Sequence, residues 1–550
     1  MRNSWTSKII LVLLATTCAW AQIDIKEPAK PEKQEVKEQE VALLALRKEV
    51  ETLIRSLRAF RPDETLVALE ESKMSEGLKS FFRGWAYHQQ GDYKQASKQL
   101  KMVRKADLAG DTYFSSRLQE LMRTADELAD FTVVETANFS IRYQEGPDKV
   151  MLYFLPDMLE QVYARYSMLF DYHQEEKIIV ELMPDHQLFS YASALTRKQI
   201  ETTGTIALCV ENRLVAMTPR RVAMGYYWPD VIAHEFVHYI LTKLSRDRVP
   251  LWMQEGTAKY FESRWDAHGA APLDESMESA VALALEKNSL LTVDQMMPSF
   301  AALPTAQLAL QAYAQTTTMI TYFCSLKGEE ALRNLIVGLR EKEGNMDAVM
   351  QEQVGQDFSG FEANWRIWLA QQGYRKSDTL AHNSVKLLDS DAPEEKLASV
   401  EAESKVQKKH VRLGDLLLER NRYVAALKEY QKILPEKGPA SRQVVLRMIT
   451  CYRQLDQHEQ VIAFIDQNIT DFDSDPTMLL HKAESQVALQ RLDEAEPLLL
   501  RAIRYNPFNP GIYRLLLNIK EDDPEAARIY AEALKILTTP TAPATSDRKS

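Results

Sequence analysis

Between Val231 and Phe261 the sequence reads VIAHEFVHYILTKLSRDRVPLWMQEGTAKYF, and no other stretch restricts the fold as strongly. Histidines at i and i+4 share one helical face about a turn apart, so both rings can reach one ion. His234 and His238 stand in that relation, with Glu235 beside the first. Pro229 and Asp230 suit the first turn of such a helix, and Lys243 and Arg246 suit its carbonyl end. A short polar turn ending at Pro250 leads into a second helical pattern, where Glu255 lies 17 residues beyond His238. This spacing predicts a helical hairpin whose second arm brings a carboxylate back beside the two rings. A catalytic zinc takes three protein ligands and keeps a fourth position for water, so His234, His238 and Glu255 are the expected ligands of one Zn²⁺ per chain. Glu235 is then placed to take a proton from that water. The alternative is an ordinary helix with two satisfied histidines. Chance would produce His-Glu-x-x-His on the order of once in a hundred such chains. The third ligand favours the metal.

The rest of the chain divides by composition. At 550 residues it is too long for one core. Arg2 and Lys8 precede the apolar run Ile9 to Ala15, and Ala19-Trp20-Ala21 follows, which reads as a secretory signal peptide over residues 1–21. A lipoprotein anchored at Cys18 is the less favoured alternative, because Thr16-Thr17 is a poor lipidation box. The protein is therefore expected to be exported, periplasmic or extracellular, with no integral membrane segment after cleavage. The formal net charge of −11, with no basic stripe, argues against nucleic acid as a partner. Cys209, Cys324 and Cys451 are far apart and odd in number, and free thiols are expected.

Residues 22–40 are rich in Lys, Glu and Pro and read as a flexible leader. Residues 41–128 are helical by spacing. In FFRGWAYHQQGDYKQASKQLKMV, Gly84, Tyr87, Gly91, Tyr93, Ala96 and Leu100 fall where a tetratricopeptide (TPR) helix pair interlocks. Alternation in FTVVET and FSIRYQ predicts strands, KIIVELM reads as a further strand, and GTIALCV and RLVAMTP predict a hairpin turning at Glu211-Asn212. After the histidine motif the pattern is helical to Gly373, residues 374–405 read as a polar linker, and residues 406–537 as TPR-like repeats. Ala426, Val461, Ala495 and Ala526 mark these repeats at intervals of 35, 34 and 31 residues. Residues 538–550 read as a disordered tail. The polar linker leads us to expect the C-terminal repeats to be a separate module, dispensable for the chemistry.

AHEFVHYIL and VPLWMQEGTAKYFE resemble the gluzincin metallopeptidases, and more narrowly the bacterial peptidase MA-like domains. These carry His-Glu-x-x-His followed by Pro-x-Trp-x-x-Glu-Gly-x-Ala-x-Tyr, and commonly occur with TPR repeats. AYAQTTTMITYF (from Ala312) and FSGFEANWRIWL (from Phe358) look like later helices of that domain, and the resemblance covers residues 129–373. It implies an α+β, thermolysin-like fold, a small mixed sheet plus helices, flanked here by α-helical TPR-like segments. It also implies zinc on His234, His238 and Glu255, Glu235 as general base, and Tyr313 as donor to the oxyanion; a tyrosine that only packs helices is the alternative. Many relatives have an acid four residues after the glutamate ligand, where this chain has Lys259. The group that orients a zinc histidine is then open between Asp230 and Glu262. Relatives pair the substrate backbone with an edge strand, and either GTIALCV or RLVAMTP fits that role, or the two merely support the helices.

Three functions follow from these readings. The first is an exported zinc metallopeptidase hydrolysing peptide bonds, with repeats that bind a protein substrate or partner. The second is an adaptor whose peptidase domain is inactive. The third is a zinc hydrolase of a non-peptide amide. An intact base, Glu235, favours the first over the second.

Overall fold

Five short strands form one mixed sheet: β1 (Thr132–Glu135), β2 (Phe139–Tyr143), β3 (Ile178–Met183), β4 (Ala207–Val210) and β5 (Arg213–Met217). The computed structural model describes residues 33–539 apart from 109–110, 175, 194, 267–272, 298, 377–385, 389–404, 436–439 and 469–474. The signal peptide, residues 22–32 of the expected leader and almost all of the expected tail lie outside the described residues. The strand order is β1-β2-β3-β5-β4. The inner pairs β2·β3 and β3·β5 are parallel and the outer pairs β1·β2 and β4·β5 antiparallel. Glu211 and Asn212 turn the β4–β5 hairpin, both in the left-handed region at φ 55° and 63°, the conformation that matches the twist of the two strands. This places β4 at the edge and β5 inside. The choice of edge that the sequence left open is thereby made.

Helices cover both faces of the sheet. On one face α6 (Leu155–Phe170) and α9 (Trp228–Ser245) pack Val162, Phe236, Val237 and Ile240 against Phe139, Ile141, Val180 and Leu214. The opposite face receives part of the N-terminal helical segment, which comprises α1 (Lys33–Arg58), α2 (Pro62–Glu70), α3 (Glu76–Gln89), α4 (Tyr93–Leu100) and α5 (Thr112–Leu128). There Tyr93, Ala96, Ala125 and Leu128 join α7 (His186–Ser193) and α8 (Arg197–Thr203) over Met183, Val215 and Met217. At the centre of this face Glu181 and Arg213 are almost wholly buried, 3.5 Å apart, and the Tyr93 hydroxyl bonds to both. Removing one member of a buried pair leaves a bare charge and costs about 3–5 kcal/mol. The pair therefore fixes where the N-terminal helices sit.

After α9 come α10 (Leu251–Phe261), α11 (Glu275–Glu286), α12 (Ala306–Lys327), α13 (Ala331–Glu341), α14 (Met346–Val354) and α15 (Phe358–Ala370). Among the described residues the C-terminal region contains eight helices: α16 (Lys405–Glu419), α17 (Tyr423–Gln431), α18 (Arg442–Gln454), α19 (His458–Asn468), α20 (Pro476–Ala488), α21 (Leu492–Tyr505), α22 (Pro510–Ile519) and α23 (Pro524–Thr538). Ala426, Val461 and Ala495, three of the four repeat positions, are fully buried. Cys209, Cys324 and Cys451 are free. Among the described residues no helix is long and apolar enough to cross a membrane.

Three features differ from the sequence expectation. The first helix starts at Lys33, inside the stretch 22–40 read as a flexible leader; Lys, Glu and Gln are good helix formers and extend a helix whose later turns are packed. Within the expected linker 374–405, residues 386–388 add a short strand to residues 221–223, with Ala223 donating to the Lys386 carbonyl at 2.9 Å and Leu388 to that of Arg221 at 2.8 Å. Leu387 is buried there, so one apolar side chain and a backbone edge outweigh the polar surroundings. Finally, the C-terminal helices, read from the sequence as a separate module, are not detached. Val150, Tyr153 and Phe154 enter the core of the last four helices, and the Tyr153 hydroxyl bonds to Glu532 at 2.8 Å. Linker polarity misled because residues of the C-terminal helices themselves make the contact.

One crossing governs the region after α9. At Gly256 on α10 an added Cβ would lie 2.5 Å from the Thr316 carbonyl oxygen of α12. Gly256→Ala gains about 1 kcal/mol of helix propensity but forces a backbone apart, an overpacking penalty of about 3 kcal/mol. The variant should therefore be about 2 kcal/mol less stable, read as a lower urea midpoint at unchanged slope.

Candidate metal centre

The two arms of the predicted hairpin are α9 and α10. Pro229 sits in the first turn of α9 and Arg246 closes it in the left-handed conformation, φ 55°. The chain reverses through residues 247–250, and Pro250 caps α10. His234 and His238 project from α9, and Glu255 faces them from α10. The two Nε2 atoms are 3.1 Å apart, and Glu255 Oε2 is 3.7 Å from that of His234 and 3.5 Å from that of His238. Among the described residues these three form the one group of histidine, cysteine and carboxylate side chains with ligand atoms close enough to hold a metal ion.

The donor set can be tested against zinc. Ligands bonded tetrahedrally at about 2.0–2.1 Å lie about 3.3 Å from one another, and the three observed separations bracket that value. Electrostatics point the same way. Burial alone would lower the His234 pKa, yet Glu255 and Glu262 outweigh it and raise it to about 10. His238 is also raised, burial being overcome chiefly by Glu255. Burial pushes the Glu255 carboxyl up, but His238 and His234 hold it well below the usual carboxylate range. The pocket favours positive charge on its rings, the condition a divalent cation exploits. His234, His238 and Glu255 fit zinc.

Each histidine is oriented from behind. His234 Nδ1 faces Glu262 Oε2 at 3.2 Å, and Lys259 Nζ holds the other oxygen of Glu262. Asp230, the other candidate, instead accepts from the Trp265 indole at 2.9 Å. His238 Nδ1 faces Gln254 Oε1 at 3.0 Å. Lys259, where relatives have an acid, thus serves the site by fixing the acid one helical turn further on. Sequence reasoning missed Gln254. Its only signal is adjacency to Glu255, which does not say where a neutral amide points.

Glu235 is 9% exposed and lies under the edge strand, with the Cys209 backbone N–H donating to its carboxylate. Burial raises its pKa against the pull of His238 and His234. Tyr313 comes from α12 and packs edge-on against Phe300, ring centroids 4.9 Å apart. The charge of Glu255, then burial, hold its hydroxyl well above the usual tyrosine range, so it stays protonated. That hydroxyl has no hydrogen-bond partner among the described residues.

Residues 192–371 match the family model described as Peptidase MA superfamily. The match spans α8, β4, β5 and every helix from α9 to α15. Two solved structures of yeast LTA4 hydrolase are similar to the chain, each over 74% of this chain and 67% of theirs. The native form is 12% identical with a TM-score of 0.31, and the complex with Bestatin 11% identical with a TM-score of 0.29. A comparison with proteins of curated function gave no match.

The partners behind the rings yield a direct expectation. Glu262→Ala should weaken zinc binding by about 10- to 100-fold, the usual cost of losing an outer partner of a metal ligand. Glu262→Gln, which keeps an acceptor for Nδ1, should lose less. Competition with a chromophoric chelator reads both.

Proposed function

We propose that the chain is an exported zinc-dependent metallopeptidase that hydrolyses peptide bonds of a peptide or protein substrate. The observation that carries this reading is the convergence of His234, His238 and Glu255 beside the buried Glu235, inside the stretch that matches the Peptidase MA superfamily. His234, His238 and Glu255 would hold one Zn²⁺, which supplies Lewis acidity and brings the pKa of a water near neutrality. Glu235 takes the proton of the attacking water on its carboxylate and delivers it to the leaving nitrogen. Burial raises its pKa, which makes its carboxylate a stronger base toward that water. Tyr313, kept protonated, donates to the carbonyl oxygen as it gains negative charge. The outer edge of β4 pairs with the extended substrate backbone and lays the scissile bond along the metal helix. We further read the helix pairs at both ends as TPR-like, those after residue 405 binding a protein substrate or partner. The signal peptide over residues 1–21 directs the chain to the periplasm or outside the cell, and N-terminal sequencing of the exported protein should begin at Gln22.

Two substitutions separate the roles. Glu235→Gln should keep zinc and the fold, because Gln is nearly isosteric and not a ligand, while kcat falls by about 10²- to 10⁴-fold. Glu255→Ala should lose the zinc, because two imidazoles leave the ion under-coordinated. Zinc content after dialysis and cleavage of a peptide library measure both. An adaptor with an inert domain would show no cleavage to lose and unchanged partner binding. Near-wild-type cleavage by zinc-loaded Glu235→Gln would sink the mechanism.

A further inference from the structure

The first turn of the metal helix is held from outside its own domain. Helix α21 ends with carbonyls that have no partner within the helix, and residues around the start of α9 supply the donors. The Trp228 indole N–H donates to the Ile503 carbonyl at 3.0 Å, and the Tyr226 backbone N–H to that of Tyr505 at 3.1 Å. The approach is close. Gly225 takes φ 66°, and a Cβ on it would press into the Tyr505 carbonyl oxygen. Arg504, the next-to-last residue of α21, adds a polar tie: its Nη1 donates to the Tyr227 hydroxyl at 3.0 Å and to Asp266 at 3.1 Å. Its guanidinium also lies 5.9 Å from the Trp265 ring, and the Trp265 indole donates to Asp230 at 2.9 Å. Asp230 is four residues before His234 and so one turn below it on the same face of α9.

We propose that Trp228 and Arg504 are positioning residues through which the C-terminal helices brace the first turn of α9 and set the affinity of the metal site. The inference rests on the metal-site reading for its second half only. A helix end fixed on its N-terminal turn cannot rotate its i and i+4 side chains independently of the opposing Glu255. The repeats are thus part of the machinery that holds the ligands, whatever else they bind.

The test uses the full chain. Trp228→Phe keeps an aromatic ring but loses the indole donor together with part of the buried volume. Arg504→Met loses the charge, and since this side chain is 43% exposed the fold should tolerate the change. Amide hydrogen exchange over residues 226–238 in chelator-treated protein reads the brace without any metal, and both variants should exchange faster there while α16 to α18 are unchanged. Zinc affinity should fall by about tenfold or more, the scale of supporting groups around a metal. Arg504→Lys, which keeps a cation facing Asp266, should recover part of it. Val424→Ala, on the exposed face of α17, should leave both readouts at wild type. Unchanged exchange in both variants overturns the brace. Faster exchange with unchanged zinc affinity overturns the claim that it sets the metal site. A wild-type protein without zinc affinity overturns the metal reading itself, while the exchange experiment still decides the brace.

Discussion

Two imidazoles and a carboxylate stay within 3.7 Å of one another only if the helices that carry them cannot shift. The crossing of α10 over α12 supplies that rigidity. Gly256, the neighbour of Glu255, lets the two backbones meet at a separation that even a methyl group would prevent. The facing turn of α12 is prepared for it. Thr316, Thr317 and Thr318 are fully buried, and each returns its hydroxyl to a carbonyl of its own helix. Their polar atoms are thereby satisfied without a partner across the interface, and the surface offered to Gly256 behaves as apolar. The same helix carries Tyr313 one turn earlier, so a single packed contact sets both the third donor and the tyrosine.

The convergence of the candidate ligands was more legible in the sequence than the architecture around it. His234, Glu235, His238 and Glu255 announce themselves because a helix converts fixed spacing into a shared face, and a short turn limits where the second arm can go. The strands were readable from local pattern too, β1 by alternation and the inner β3 and β5, buried along their length, as short apolar runs. What the sequence hides is direction in polar side chains. Nothing in the letters distinguishes Glu262, which reaches His234, from Asp230, which turns to Trp265. Nor do they show that Gln254 stands behind His238. Long-range contacts were the other blind spot. Polarity across residues 374–405 is a local property, whereas Trp228 and Ile503 meet across the fold.

The N-terminal helices are tied in as firmly. Glu211, at the tip of the β4–β5 hairpin, takes bonds from the Trp85 indole, the Gln89 amide and the Arg117 guanidinium. The hairpin that presents the edge strand to Glu235 is therefore held by α3 and α5, while the start of α9 is held by α21. Two helical regions at opposite ends of the sequence grip the two sides of one site, and composition-based boundaries give no sign of it.

The link between Trp228 and the Ile503 carbonyl spans 275 residues, and that separation has a consequence in time. Contacts so distant in sequence carry a large loop-closure cost and form late. A growing chain completes α9 and its histidines long before Ile503 exists, so the first turn of α9 gains this contact only when nearly the whole polypeptide has been made. A chain cut between the two regions before folding has all the ligands and none of the brace. Completing the packing around the start of α9 is thus coupled to finishing the chain.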